Sequence, residues 1–171
     1  MKRAAAAILA ALFAAAGARA GEIKDIGAMK IIAVEWRPGD SVSIAGPFAE
    51  LVNYYNNGDL DDIAAMQIVF PQMSFDFADG ASWIAVQFTG AAKETARVKI
   101  KETPAGKFYA ETHNGPYQKL GEAVRRAYRL LAAEGYAPDK TRPRRLLYWN
   151  SPDDNPPEKL RTEIQIPVVR K

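Results

Sequence analysis

Residues 160–168 read LRTEIQIPV, and Thr162, Ile164, Ile166 and Val168 form an apolar row at every second position. Period-two alternation predicts a β-strand with one buried face. Arg161, Glu163 and Gln165 then share the opposite face. Clusters of β-branched and aromatic residues predict further strands: MKIIAVEW at 29–36, MQIVFP at 66–71, WIAVQF at 83–88 and RRLLYWN at 144–150. ARVKIKETPAGKFYAETH predicts a hairpin, with strands at 98–102 and 107–113 turning through Pro104-Ala105-Gly106. Apolar residues three and four apart predict two helices. In the first, Ile44, Phe48, Leu51 and Tyr55 share a face; Pro38-Gly39 precedes it, Pro47 fits only its first turn, and the NNGD run at 56–59 stops it. In the second, Leu120, Val124, Ala127, Tyr128 and Leu131 form the stripe, with Asn114 as cap, Pro116 in the first turn and Gly135 just past the end.

The two helical stretches lie in one register. Gly39 falls on Gly115, Ile44 on Leu120, Phe48 on Val124 and Tyr55 on Leu131, all at one offset (115 − 39 = 76). Carried without gaps, the offset places Glu35 on Glu111, Gln87 on Glu163 and Phe88 on Ile164. Identities are few, but the order of elements repeats. Each half, about 28–90 and 97–171, reads β-α-β-β. This predicts an α+β fold in which duplicated β-α-β-β units form a mostly antiparallel sheet with two helices on one face. The other face is free to curve around a central cleft on the pseudo-twofold axis, where a ligand site is expected.

Composition changes this picture mainly at the N-terminus. A chain of 171 residues, 48% of them hydrophobic, suits one globular domain or two small repeats sharing a core. MKRAAAAILAALFAAAGARA, residues 1–20, has the basic start, apolar run and Ala-x-Ala end of a secretory signal peptide. The run is short and Ala-rich for a membrane span; an uncleaved N-terminal anchor is the other reading. Cleavage would leave a domain at 21–171, periplasmic or secreted and free of the membrane. It would remove Lys2, Arg3 and Arg19, three of 23 basic residues, and none of the 20 acidic ones, leaving a formal net charge of zero. No basic field then remains to attract nucleic acid, and KTRPRR at 140–145 reads as a solvated loop. The absence of Cys excludes disulfides, thiol nucleophiles and Cys-type zinc sites, and the single His excludes a His-rich metal site. SPDDNPPE at 151–158 lacks the acidic ladder of a calcium loop, and no G-x-S-x-G elbow is present. Neither a metal nor a cofactor is expected.

Glu163 is the carboxylate in the middle of the apolar final strand. Alternation alone also describes an ordinary outward-facing residue. A binding role requires aromatic company, for which Trp36, Trp83, Tyr109, Tyr148 and Trp149 are candidates. A carboxylate walled by aromatic rings suits a cationic or amphipathic organic ligand, the rings adding area and cation–π attraction. His113 alternates with Tyr109 and Glu111, so all three are expected toward the same cleft, with His113 hydrogen-bonding ahead of the helix. Glu111 beside Glu163 would form a coupled acid–base pair.

The stretches YAETHNGPYQKLGEAVRRAYRLLAAEGYAP, LLYWNSPDDNPPEKL and RTEIQIPV, residues 109–168, resemble the GyrI-like small-molecule-binding domain, the effector-binding domain of AraC- and MerR-type regulators. H-x-G-P-Y, helix, Gly, Tyr-bearing strand, Pro/Asp loop and T-E-I-x-I-P-V occur in the family's order, over about half of the mature chain. The resemblance implies cationic lipophilic ligands, Glu163 as their counter-ion and Tyr148 as a pocket wall. Some relatives hydrolyse strained electrophilic compounds with a Glu and a Tyr, which implies an alternative: a hydrolase in which Glu163 activates water and Tyr148 assists. The fold is also similar to that of haem-binding SOUL proteins, which implies a haem or tetrapyrrole binder with His113 as the one available axial imidazole. The regulators carry a helix-turn-helix ahead of this domain, and here the predicted leader stands in that place. The expectation is an exported, stand-alone domain for a small organic ligand, with no nucleic-acid partner; a homodimer is a second use of the open face.

Overall fold

The structure, a computed structural model, describes residues 21–36, 45–57, 67–76 and 82–171. The expected leader at 1–20, the Pro38-Gly39 turn, Ile44, Met66 and the end of NNGD lie outside them. The described elements are β1 (Glu22–Ile26), β2 (Met29–Trp36), α1 (Ala45–Asn57), β3 (Gln67–Asp76), β4 (Ser82–Thr89), β5 (Val98–Thr103), β6 (Gly106–Asn114), α2 (Leu120–Ala133), β7 (Tyr136–Pro138), β8 (Arg144–Tyr148) and β9 (Arg161–Arg170). The main strands form one sheet in the order β1-β6-β9-β8-β3-β4-β2-β5, and β7 pairs with β9. Every pairing is antiparallel.

This order reads the same from both ends when each strand is exchanged for its repeat partner: β1 for β5, β2 for β6, β3 for β8 and β4 for β9. The pseudo-twofold axis therefore passes between β3 and β8, whose pairing joins the halves. The leading strands are exchanged, with β1 on β6 of the second half and β5 on β2 of the first. The predicted 98–113 hairpin is thus not formed. β5 pairs instead with β2, and β1 takes the edge of β6 that a hairpin would have used.

Two short connections bend the sheet. Only Gly27 and Ala28 separate β1 from β2, and only Pro104 and Ala105 separate β5 from β6. Three peptide steps span at most about 10 Å, yet β1 and β6 lie at one end of the sheet and β2 and β5 at the other. The two ends must therefore approach each other, so the sheet is open but strongly curved.

Both helices pack on the same face. α1 covers Ile32, Val34, Ile84, Val86, Phe88 and Val98 through Leu51. α2 covers Tyr109, Leu146, Tyr148, Ile164, Ile166 and Val168 through Leu120, Val124, Ala127 and Leu131. The opposite face holds its own apolar cluster, Ile31, Ala33, Met73, Phe75, Ala85 and Leu147, buried although neither helix packs on it; the sheet therefore curves around this face, which is the concave one.

Local details depart from expectation at two places. Tyr55 is exposed, and Tyr54 packs inward instead, its hydroxyl donating to the Lys93 carbonyl at 2.8 Å. α2 begins at Leu120, without a side-chain cap, because β6 runs on through Asn114 and Gly115 donates to the Leu160 carbonyl. Gly115 has φ +131°, a conformation glycine supplies, and Pro116 then leads into a 3-10 turn at Tyr117–Lys119. Gly135, at φ +82°, ends α2 as its position implied.

Candidate functional site

Cross-strand pairing decides which side chains share a face. Glu163 pairs with Thr112 on one side and Leu147 on the other, which places it on the concave face. There it is 8% exposed. Gln165 Nε2 donates to Glu163 Oε1 at 2.7 Å, and Lys24 Nζ of β1 lies 3.5 Å from the same oxygen. Arg145, paired with Gln165 across β8 and β9, is 1% exposed on this face. Its guanidinium lies over the Phe108 ring, 4.0 Å from the centroid, with Arg142 over the same ring at 5.1 Å. Burial lowers the Arg145 pKa to about 10, the charge of Arg142 acting in the same direction and that of Glu163 against it. Beside this group lie Met73, Phe75 and Leu147, with Trp83 at the margin under Lys101. The concave face thus joins one buried carboxylate, two flanking cations and an apolar floor.

The other predicted site residues are divided by the sheet. Tyr109, Glu111 and His113 pair with Ile166, Ile164 and Thr162, so they point toward α2 and away from Glu163. Glu111 is buried against Arg126, which grips Oε1 through Nε and Nη2. It is a structural ion pair, not a partner of Glu163. His113 Nε2 lies 3.3 Å from the Pro116 carbonyl, so the ring braces the entry to α2. Tyr109 takes part in the α2 core, and its hydroxyl accepts from the Gly21 amide at 3.1 Å. Trp36 pairs with Ser82 and so faces the helix side, whereas Trp149, on the concave-side parity, stands partly exposed with Arg161 over its ring.

Tyr148 also faces the helices. Its hydroxyl shares a 3.1 Å hydrogen bond with Ser74 Oγ beside the pseudo-twofold axis, and the rings of Phe48 and Tyr117 meet it edge-on. Burial pushes its pKa up to about 12. Because Leu147, not Tyr148, pairs with Glu163, the sheet itself separates the two groups. The expected joint activation of water by Glu163 and Tyr148 has no common site in this geometry.

Lys24 and Arg145 are the site residues that sequence reasoning missed. Lys24 lies on β1, which carries no strong alternation; the repeat offers the signal, since β1 precedes β5 by the common offset. Arg145 ends the basic run read as a solvated loop, but it is the second residue of β8 and points inward. The gapless offset also misaligns β2 with β6. Gln87 and Glu163 do share the concave face, but Glu35 lies on the concave-side parity while Glu111 faces α2. β2 and β6 are therefore one residue out of phase with the rest of the repeat.

Comparison with known proteins agrees with this architecture. Residues 63–169 match the GyrI-like small molecule binding domain. The EcmrR C-terminal domain superposes with a TM-score of 0.68 at 15% identity, covering 88% of this chain and 98% of that one. EcmrR in a DNA complex gives the same TM-score, and there the chain spans 57% of its relative's length. A hydrolase from Listeria innocua gives 0.64 at 19% identity, over 90% of this chain and 94% of that one. SAV2435, solved bound to tetraphenylphosphonium, gives 0.50 at 13% identity, over 87% and 93%. At these identities the likeness is one of fold. No curated protein matches the chain.

Proposed function

Because the chain belongs to the GyrI-like small-molecule-binding domain family, we propose that it is an exported domain that binds an amphipathic organic cation on the concave sheet face, with Glu163 as counter-ion. The observation that carries this reading is the carboxylate itself: Glu163 is buried beside an apolar floor, its nearest cation the mobile-stemmed Lys24 at 3.5 Å. An apolar cation can replace that ammonium and bury more surface than a lysine tip does. The tetraphenylphosphonium bound by SAV2435 is a cation of this chemical kind. Export is supported by the charged start, apolar run and Ala-x-Ala ending of residues 1–20. The separation of Glu163 from Tyr148 favours binding over hydrolysis by that pair.

A monovalent cation about 4 Å from Glu163 would gain about 4 kcal/mol at an effective dielectric near 20, and displacing Lys24 offsets much of it. Glu163→Gln should therefore weaken tetraphenylphosphonium binding by about tenfold, equivalent to about 1.4 kcal/mol. Isothermal titration calorimetry of the folded variant reads this directly, and equal affinities for the two proteins would rule out the counter-ion role. Export is checked separately by the N-terminus of the protein recovered from the periplasm or medium, which should be Gly21.

A further inference from the structure

The concave face contains a charged group that a cation-binding role does not use. Arg145 is 1% exposed, yet its Nε and Nη2 have no hydrogen-bond partner. Buried guanidinium donors are ordinarily satisfied, because leaving them unpaired forfeits their hydration. Nε and Nη2 form the edge of the guanidinium that matches the two oxygens of a carboxylate. The protein uses this same edge elsewhere: Arg97 on Glu50, Arg126 on Glu111 and Arg144 on Asp76. At Arg145 the Phe108 ring stacks against the guanidinium and restrains its plane. Across the strand, Gln165 Oε1 is likewise buried and unpartnered, its Nε2 being committed to Glu163. Arg145 makes no ion pair with Glu163, although the two share a face with Gln165 between them.

We propose that Arg145 is an anion subsite and that the ligand is zwitterionic: a carboxylate seated on the Nε–Nη2 edge, a cationic group at Glu163, and an apolar body over Met73, Phe75 and Leu147. The proposal rests on the concave face being the ligand site, and it adds the second charge. It also gives a reason for burying an arginine on an apolar floor, where a well-packed hydrophobic side chain would be at least as stable.

The test uses a matched pair of dyes, the cationic ethyl ester rhodamine 6G and the free acid of the same dye, which differs by its carboxylate. Fluorescence anisotropy with the folded wild-type protein should give the acid at least about tenfold tighter binding than the ester. Arg145→Met should abolish that preference, the acid then binding no more tightly than the ester. Arg145→Lys, which keeps charge but loses the fork, should retain only part of it. Glu163→Gln should weaken both dyes alike. Thermal melting guards against a folding artefact: Arg145→Met should melt at or above the wild-type temperature. Equal or weaker binding of the acid by wild type, or a preference that survives Arg145→Met, overturns the anion subsite while leaving the cation site standing. Failure of both dyes to bind wild type overturns both readings.

Discussion

Replacing Tyr148 with Phe removes one oxygen and tests the division of the site by the sheet. The hydroxyl lies 3.1 Å from Ser74 Oγ, and both residues are buried. Its loss costs a net hydrogen bond of about 1 kcal/mol and leaves the Ser74 hydroxyl without its partner, for a total of about 1–2 kcal/mol. A domain of this length loses roughly 2–4 °C of melting temperature per kcal/mol, so Tyr148→Phe should melt about 2–8 °C lower. Adding Ser74→Ala to Tyr148→Phe should recover part of that loss, since no orphaned hydroxyl then remains. Tetraphenylphosphonium affinity should stay within about twofold, because the ring and its hydroxyl point away from Glu163. Calorimetric titration and thermal melting on the same samples separate the two effects. A tenfold loss of affinity with an unchanged melting temperature would place Tyr148 in the ligand site and refute the face assignment.

Three further outcomes follow. Arg126→Met strands the buried Glu111 carboxylate and should cost about 2–3 kcal/mol by denaturant unfolding, with most of it restored by Glu111→Gln in the same chain. Asp139 is held at a pKa of about 2 by the Thr141 hydroxyl and amide and by Arg142. Its folded pKa lies below the unfolded value, so its contribution is present above about pH 4 and lost as the pH falls toward 2; Asp139→Asn should flatten the stability curve across that window in acid melts. Lys24→Met removes the ammonium that competes at Glu163 and should tighten tetraphenylphosphonium binding by about three- to tenfold, a gain that Glu163→Gln cancels.

Much of the fold was legible because its two periodicities are strong. The α2 stripe of Leu120, Val124, Ala127 and Leu131 and the β9 row of Thr162, Ile164, Ile166 and Val168 pack together as their spacing requires. Partnership between strands was not legible for β5 and β6, since a Pro-Ala-Gly link serves a hairpin and a step between sheet ends equally well. The site was legible only in part for a related reason. Alternation groups Tyr109 with Glu111 and His113, and Glu163 with Gln165, but it does not say which group lies under the helix. That depends on Thr112 pairing with Glu163, a contact between distant parts of the chain. The charge of Arg145 was visible while its burial was not, because the basic run straddles the start of β8.

Ligand is expected to bind against Glu163, on the face away from both helices. A crystal structure of the protein soaked with tetraphenylphosphonium tests it most directly. The phosphonium is expected within about 5 Å of the Glu163 carboxylate, a range over which opposite charges still interact strongly in a partly buried site, with its rings on Met73, Phe75 and Leu147 and Lys24 displaced. Density for the cation between α1 and α2, beside Tyr148 and Ser74, would contradict it.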